Sequence, residues 1–478
     1  MKGNSPHRSQ TTLFQNLEDL LNPDDSLYKL SNKLPWEELE KEFSSLYSKI
    51  GRPSKPVRLM VSLLLLKQIY NLGDETVVSA WVHNPYWQYF SGFTAFQWNF
   101  PIEPTDLVHF RKRIGKEGLE KIFKISIDLH GKSSLEKEVV IDTTVQEKNI
   151  TYPTDVKLHK KIIDKCVKIA ISENITLRQS YKRISKQLVI DQRGNRSPKG
   201  KARARKSARK LKTIAGRLTR ELRRKLTEDL LVKHEVKLKL FEQVLAQEKG
   251  DKNKIYSLHE PKVYCMSKGK AHKRFEFGSK VSITLTKNSG VAIGAYNFEE
   301  NIYDGHTLPE VLDQTKRLTG KEPKVAIVDR GYRGKAKIGE TEIINPKRPK
   351  KNATPYEKTK ARKRFRRRAG IEPIIGHLKQ DFRLSRNYLK GTQGDMANVL
   401  LAATAYNFKK WMNIESKKLT LFIYSKILSF FEFIIINPFR TQFFKIEPEK
   451  KIHLPALLYE HKTRCMLAGY FNRPSTHA

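Results

Sequence analysis

The sequence predicts an α/β protein: a helical N-terminal region, a sheet-forming core, and a basic helical stretch set into that core. Three observations carry this reading. Residues 11 to 100 are apolar at helical spacing, with VRLMVSLLLLKQIY the clearest buried helix. Short β-branched runs, EVVIDTTVQ, FGSKVSITLT, GVAIGAYNF and KVAIVD, recur between Glu138 and Asp329 and have the character of strands. Between the first two runs, residues 155 to 250 return to helical spacing and are strongly basic. At 478 residues the chain is long enough for two or three domains, each with a core.

Charge narrows the function. There are 92 Lys and Arg against 50 Asp and Glu, a formal net charge of +42, which predicts a polyanionic partner, nucleic acid first. With 38% hydrophobic and 10% aromatic residues, the chain is not a mostly disordered one. Cys166, Cys265 and Cys465 are far apart and form no C-x-x-C pair, so neither a zinc site nor a disulfide framework follows, and a reducing cytoplasm fits. The polar start MKGNSPHRSQ predicts no signal peptide. From Leu419, LTLFIYSKILSFFEFIIINPF has almost the length of a membrane span. Lys426 and Glu432 interrupt it, which favours a packed helix or a docking segment, and no membrane partner is expected.

Along the chain, Tyr86, Trp87, Tyr89, Phe90, Phe93, Phe96, Trp98 and Phe100 are dense enough to form a small core, with base stacking as the alternative. EPTDLVHFRKRIGKEGLEKIF has Thr105 as an N-cap and carries Arg111, Lys112 and Arg113. Its basic side is either a DNA-facing surface or a solvated one. The run at Glu138 places Asp142 near the end of a strand. Between Arg193 and Lys225 there are fifteen Lys and Arg and one acid, Glu221, which points to contact with a phosphate backbone. KNSG is turn chemistry for a hairpin between the next two strands. YDGHTLPEVL opens a helix with Thr307 and Glu310 in capping-box spacing.

The last strand runs into Asp329. A lone aspartate at a strand end is usually a turn or cap residue. Two on neighbouring strands would let their carboxylates converge on a hard divalent cation such as Mg²⁺, which takes oxygen ligands and keeps waters that phosphate oxygens can replace. RRRAGIEPIIGHLKQDF supplies a third acid: Glu372 and Lys379, seven residues apart, share a helix face, beside Arg366, Arg367 and Arg368.

Taken together, IDTTV, DGHTLPE, VDRGYRG and RAGIEPIIGHLK resemble the DDE transposases of bacterial insertion sequences, in the group of families four and five. That group is marked by a tyrosine, two residues, an arginine, three residues, a glutamate, six residues and a lysine. Arg368, Glu372 and Lys379 match at the right spacing, and Phe365 stands in the tyrosine position. The resemblance runs from about residue 55 to about 412. It implies a ribonuclease-H-like catalytic core, a mixed sheet flanked by helices, with Asp142 and Asp329 on strands and Glu372 on a helix as catalytic and metal-holding acids. The implied cofactor is Mg²⁺, with Mn²⁺ as substitute. The implied activity is DNA strand cleavage at the element's ends and strand transfer into target DNA. The implied partners are double-stranded DNA, as terminal inverted repeats and target, and further copies of the chain, a homodimer or larger assembly on DNA.

On this reading, residues 1–130 bind the DNA ends. Residues 131–412 form the catalytic domain with insertion 155–250, and 413–478 are an apolar segment and tail. Arg368, Lys379, Arg330 and Arg333 orient phosphates at the site; Arg111 and Arg113 in the N-terminal region, and Arg203, Arg205 and Lys206 in the insertion, contact DNA elsewhere. His306 is expected to be structural, and the tail after about residue 445 accessory. The competing functions are a catalytically silent DNA-binding derivative and a purely nucleolytic protein of the same fold.

Overall fold

The computed structural model describes residues 16–440 apart from 49, 51–53, 195, 249, 268–273, 333, 335 and 346–351, and excludes the side chains of 360, 365 and 421–440. Arg333, the Phe365 side chain and the tail beyond 440 therefore lie outside the described residues. The chain divides into two compact units, Met1–Ser416 and Lys417–Ala478.

The first unit begins with helices α1 (Leu17–Leu20), α2 (Ser26–Lys33), α3 (Trp36–Ser44), α4 (Val57–Ile69), α5 (Asp74–Val82), α6 (Pro85–Phe90) and α7 (Pro104–Asp128). Asp25 starts α2 by accepting from the Leu27 and Tyr28 amides, at 2.8 and 3.1 Å. VRLMVSLLLLKQI is apolar on every side, and α4 is accordingly buried along almost its whole length. Its Lys67 is offset by Asp74, which also takes a bidentate pair from Arg111. The cap of α7 differs from expectation. Glu103 is the N-cap, in a capping box with Asp106, and Thr105 falls inside the first turn behind Pro104. Gly115, at φ 60°, kinks this helix. The aromatic segment divides: Trp87 and Phe90 are core, whereas Trp98 and Phe100 are exposed.

The sheet comprises β1 (Glu138–Glu147), β2 (Tyr264–Ser267), β3 (Phe275–Thr286), β4 (Ala292–Phe298), β5 (Val325–Ile327), β6 (Lys337–Ile338) and β7 (Thr341–Ile344). Its order is β2-β3-β1-β5-β7-β6, with β4 also on β3. The β1–β5 and β5–β7 pairs are parallel and the rest antiparallel, so the sheet is mixed. Asp142 is mid-strand and not near a strand end. β3 is long enough to pair with β1 from Val139 to Glu147, which carries β1 well past the aspartate.

Between β1 and β2 lie α8 (Asp155–Ser172), α9 (Lys182–Ile190), α10 (Pro198–Lys225) and α11 (Glu228–Ala246). They are followed, after β4, by α12 (Leu308–Thr319), then α13 (Pro355–Ala369), α14 (Ile371–Gln380) and α15 (Gly391–Arg440). No capping box forms at α12. The Thr307 hydroxyl turns back to the Asp304 carbonyl at 2.7 Å, closing a 3-10 turn ahead of the helix. The main hydrophobic core joins the N-terminal helices, both faces of β1, β4 and β5, one face of β3, and residues of α12, α14 and the first turns of α15. The site-bearing strands are thus held rigidly from both sides.

Candidate active site

Parallel pairing sets the geometry. Val140 stands opposite Ile327. Asp142 and Asp329, each two residues further along, therefore emerge side by side at the end of the paired segment. The third acid arrives on α14, which follows α13 with only Gly370 between them. Gly370 itself keeps helical angles, φ −64° and ψ −15°, so Arg368 and Glu372 remain one helical turn apart across the junction. Arg368 Nη2 lies 3.1 Å from Glu372 Oε1, 3.8 Å from Asp142 Oδ2 and 3.9 Å from Asp329 Oδ2. Two strands and a helix thus bring three carboxylates to one guanidinium nitrogen.

Each aspartate is oriented by backbone. Asp142 Oδ1 accepts from the Thr143 amide at 2.8 Å, and Asp329 Oδ1 from the Gly331 amide at 2.5 Å. In both, Oδ2 is the oxygen that faces Arg368. A Cβ on residue 331 would stand 2.8 Å from Asp329 Oδ1, so close approach to the carboxylate is what demands glycine there.

A second layer supports this one, and it comprises residues that the sequence reasoning did not single out. Asp304 Oδ1 accepts from Thr143 Oγ1 and from Lys280 Nζ, both at 2.9 Å, tying the 3-10 turn to β1 and β3. The neighbouring Tyr303 hydroxyl donates to the Gly331 carbonyl, which ties the same turn to the loop carrying Asp329. Tyr332 lies beneath, 5% exposed. Burial, reinforced by the charges of Asp142 and Asp304, pushes its phenol well above the usual range. The available signal was that Asp304 and Tyr332 fall inside DGHTLPE and VDRGYRG.

The expected phosphate contacts are scattered. Arg330 is exposed beside Asp329. Lys379 points to Glu276 of β3, at 3.7 Å. Arg113 stacks over the Tyr47 ring at 4.3 Å and lines a cleft of about 920 Å³ with Lys55, Phe100 and His109. Arg111 is 8% exposed and locked onto Asp74, so its charge is engaged within the N-terminal helices and not displayed on an exposed basic face. Arg203, Arg205 and Lys206 are exposed on α10. His306 packs edge-on against Tyr303. One further basic feature is a cleft of about 540 Å³ lined by Lys287, Lys363, Arg364, Arg366 and Arg367, with Glu138 its lone acid.

Residues 15–113 match the family described as Transposase domain (DUF772), and residues 245–408 match Transposase DDE domain. An uncharacterised protein of Rhizobium meliloti, ORF8 in the nfe locus, is 40% identical over 197 residues, covering 40% of this chain and 95% of that protein. This chain belongs to the DDE transposases. The pairing of those two domains is typical of insertion sequence families four and five. No solved structure matches it. Residues 155–244, nearly all of the insertion, fall in the stretch that neither family description covers.

DDE transposases use divalent metal ions, and the donor set here suits one. All three acids offer hard oxygen ligands, and a cationic nitrogen already stands among them. Among the described residues no group of three acidic, histidine or cysteine side chains encloses an ion position. No helix among the described residues is long and apolar enough to cross a membrane.

Proposed function

We propose that this transposase cuts DNA at the ends of its element and joins the freed ends to target DNA, with Asp142, Asp329 and Glu372 as its catalytic acids. The observation that carries the proposal is their convergence on Arg368 Nη2. In the first step a water oxygen attacks a phosphorus at the element's end, and the P–O3′ bond breaks to leave a 3′-hydroxyl and a 5′-phosphate. In the second, that 3′-oxygen attacks a target phosphodiester, forming one P–O bond as another breaks. Phosphodiester number is conserved in this step, so no energy source is required. Both displacements are in-line, and one site serves both.

Asp142, Asp329 and Glu372 would hold Mg²⁺ or Mn²⁺. The bound ions would supply Lewis-acid stabilisation of charge on the attacking and leaving oxygens. Arg368 and Arg330 draw the scissile phosphate in, and Gly331 keeps the loop low enough for DNA to approach. The Asp304 turn keeps the two strand acids in register. Two active sites have to act together on two ends, so the working form is a dimer or larger assembly on DNA.

The test is a plasmid carrying matched element ends, incubated with purified protein, metal and a second target plasmid. Wild-type protein should yield nicked ends and joined products. Asp142→Asn, Asp329→Asn and Glu372→Gln should yield neither while binding DNA undiminished. Cleavage without joining under every metal condition would leave a nuclease, and activity surviving in any of the three variants would remove that acid from the site.

A further inference from the structure

Residues 155–246 fold around a core of their own. Leu158, Ile162, Leu211, Leu218, Leu238 and Phe241 belong to a hydrophobic cluster that shares no residue with the main core. The chain leaves and returns through a closed neck. Tyr152, ahead of α8, and Tyr256, beyond α11, pack on the same Phe277 ring, with centroids 5.4 and 5.2 Å away. A segment with an independent core and adjoining ends meets the conditions for an inserted module that leaves its host fold intact.

This module holds 27 Lys and Arg against 9 Asp and Glu, a large share of the chain's positive excess. The charge is organised. α10 turns Ala204, Leu211, Leu218 and Leu222 inward and leaves Arg203, Arg205, Lys206, Arg209, Lys210 and Lys212 exposed. None of these six forms an ion pair among the described residues, whereas Arg223, at the other end of the helix, is held by Glu235 and Glu242. Unpaired like charges on successive turns destabilise a helix, and a row of phosphates reverses that cost. At about 1.5 Å per residue, α10 is about 42 Å long, somewhat more than one turn of duplex DNA at about 34 Å. The helix has no Asn or Gln, the side chains that read adenine edges.

We infer that residues 155–246 are a separately folded module that grips the phosphate backbone of duplex DNA along α10 without reading sequence. The inference rests on DNA being the transposase's substrate, and on nothing about the strand chemistry. It gives the enzyme a hold on DNA independent of end recognition. The neck places that hold beside the catalytic helix, since Phe277 adjoins Glu276, the partner of Lys379 on α14.

Two full-length variants test it, both carrying Asp142→Asn so that binding is measured without cleavage. One has Arg203, Arg205, Lys206, Arg209, Lys210 and Lys212 changed to Gln; the other has residues 155–246 replaced by a short Gly-Ser linker. Affinity for an unrelated duplex and for an element-end duplex is followed against salt. Six lost contacts at about 0.9 each should make the slope of log K against log [salt] shallower by about five, equally on both duplexes. The linker variant should keep a cooperative melting transition. An unchanged slope would overturn the DNA grip, a loss confined to the element end would overturn sequence independence, and an unfolded linker variant would overturn separate folding. These readouts stand whether or not the wild-type protein cuts DNA, so their failure is distinguishable from failure of the proposed chemistry.

Discussion

Asp304→Ala should slow strand cleavage far more than it weakens DNA binding. The substitution removes the oxygen that accepts from both Thr143 Oγ1 and Lys280 Nζ at 2.9 Å, and leaves Lys280, 13% exposed, with its bond to the Ile302 carbonyl. Loss of a partly sheltered, charge-assisted pair costs on the order of 2 kcal/mol, discounted here because Asp304 is itself 31% exposed. The melting temperature should fall modestly, and the fold should persist. The catalytic effect should be larger. The turn that Asp304 anchors also holds the Gly331 carbonyl through Tyr303, and a displacement of about 1 Å at a reacting group costs about 10²-fold in rate. Asp304→Asn keeps an oxygen in the same place, so it should recover most of the rate. The assay is single-turnover cleavage of a labelled element-end duplex at saturating protein, with DNA affinity, Mn²⁺ binding and melting measured alongside. A wild-type rate in Asp304→Ala would refute the positioning argument. So would an Asn variant as slow as the Ala variant with weakened Mn²⁺ binding, because Asp304 would then hold metal directly.

Asp74→Asn should destabilise the N-terminal helices by about 3–5 kcal/mol, seen as a lower melting temperature, because Lys67 and Arg111, at 6% and 7% side-chain exposure, lose the one carboxylate both contact. Burial, opposed by Lys148, raises the Asp395 carboxyl from 3.8 to about 6. The folded chain therefore binds the extra proton in that window, and Asp395 favours folding fully below pH 3.8 and loses that contribution as pH rises through about 6. Asp395→Asn should flatten the stability–pH curve there, checked by denaturant titration at several pH values. Changing Arg366 and Arg367 to Ala in the 540 Å³ cleft should make the salt slope of DNA binding shallower by about two without moving the melting temperature. Mixing wild-type with Asp142→Asn protein on paired ends should depress joining below simple dilution of active chains; joining that tracks dilution would exclude cooperation between subunits.

How much of this was legible depends on whether a feature is set by near or distant neighbours. Arg368 and Glu372 are one helical turn apart, so their spacing in the sequence is their geometry in space, and the motif reports it directly. The strand character of β1 and β5 was equally local, carried by β-branched runs. Where β1 ends was not, because its length past Asp142 is set by β3, more than a hundred residues later in the chain. The same limit explains Arg111. In a run of Arg and Lys it has the look of an exposed basic face, and only the fold brings Asp74 against it. Asp304, alone in a turn segment, has the pattern of an ordinary capping residue until Thr143, Lys280 and the Gly331 loop surround it.

The insertion shows both sides of that limit. Its helices follow from periodicity and its charge from counting, so both were visible in the sequence. Whether Leu211 packs on Leu158 or on the sheet depends on tertiary choice, which periodicity does not encode. The separate core decides that question, and together with the shared Phe277 ring it is the ground for testing a full-length chain in which a linker replaces the insertion.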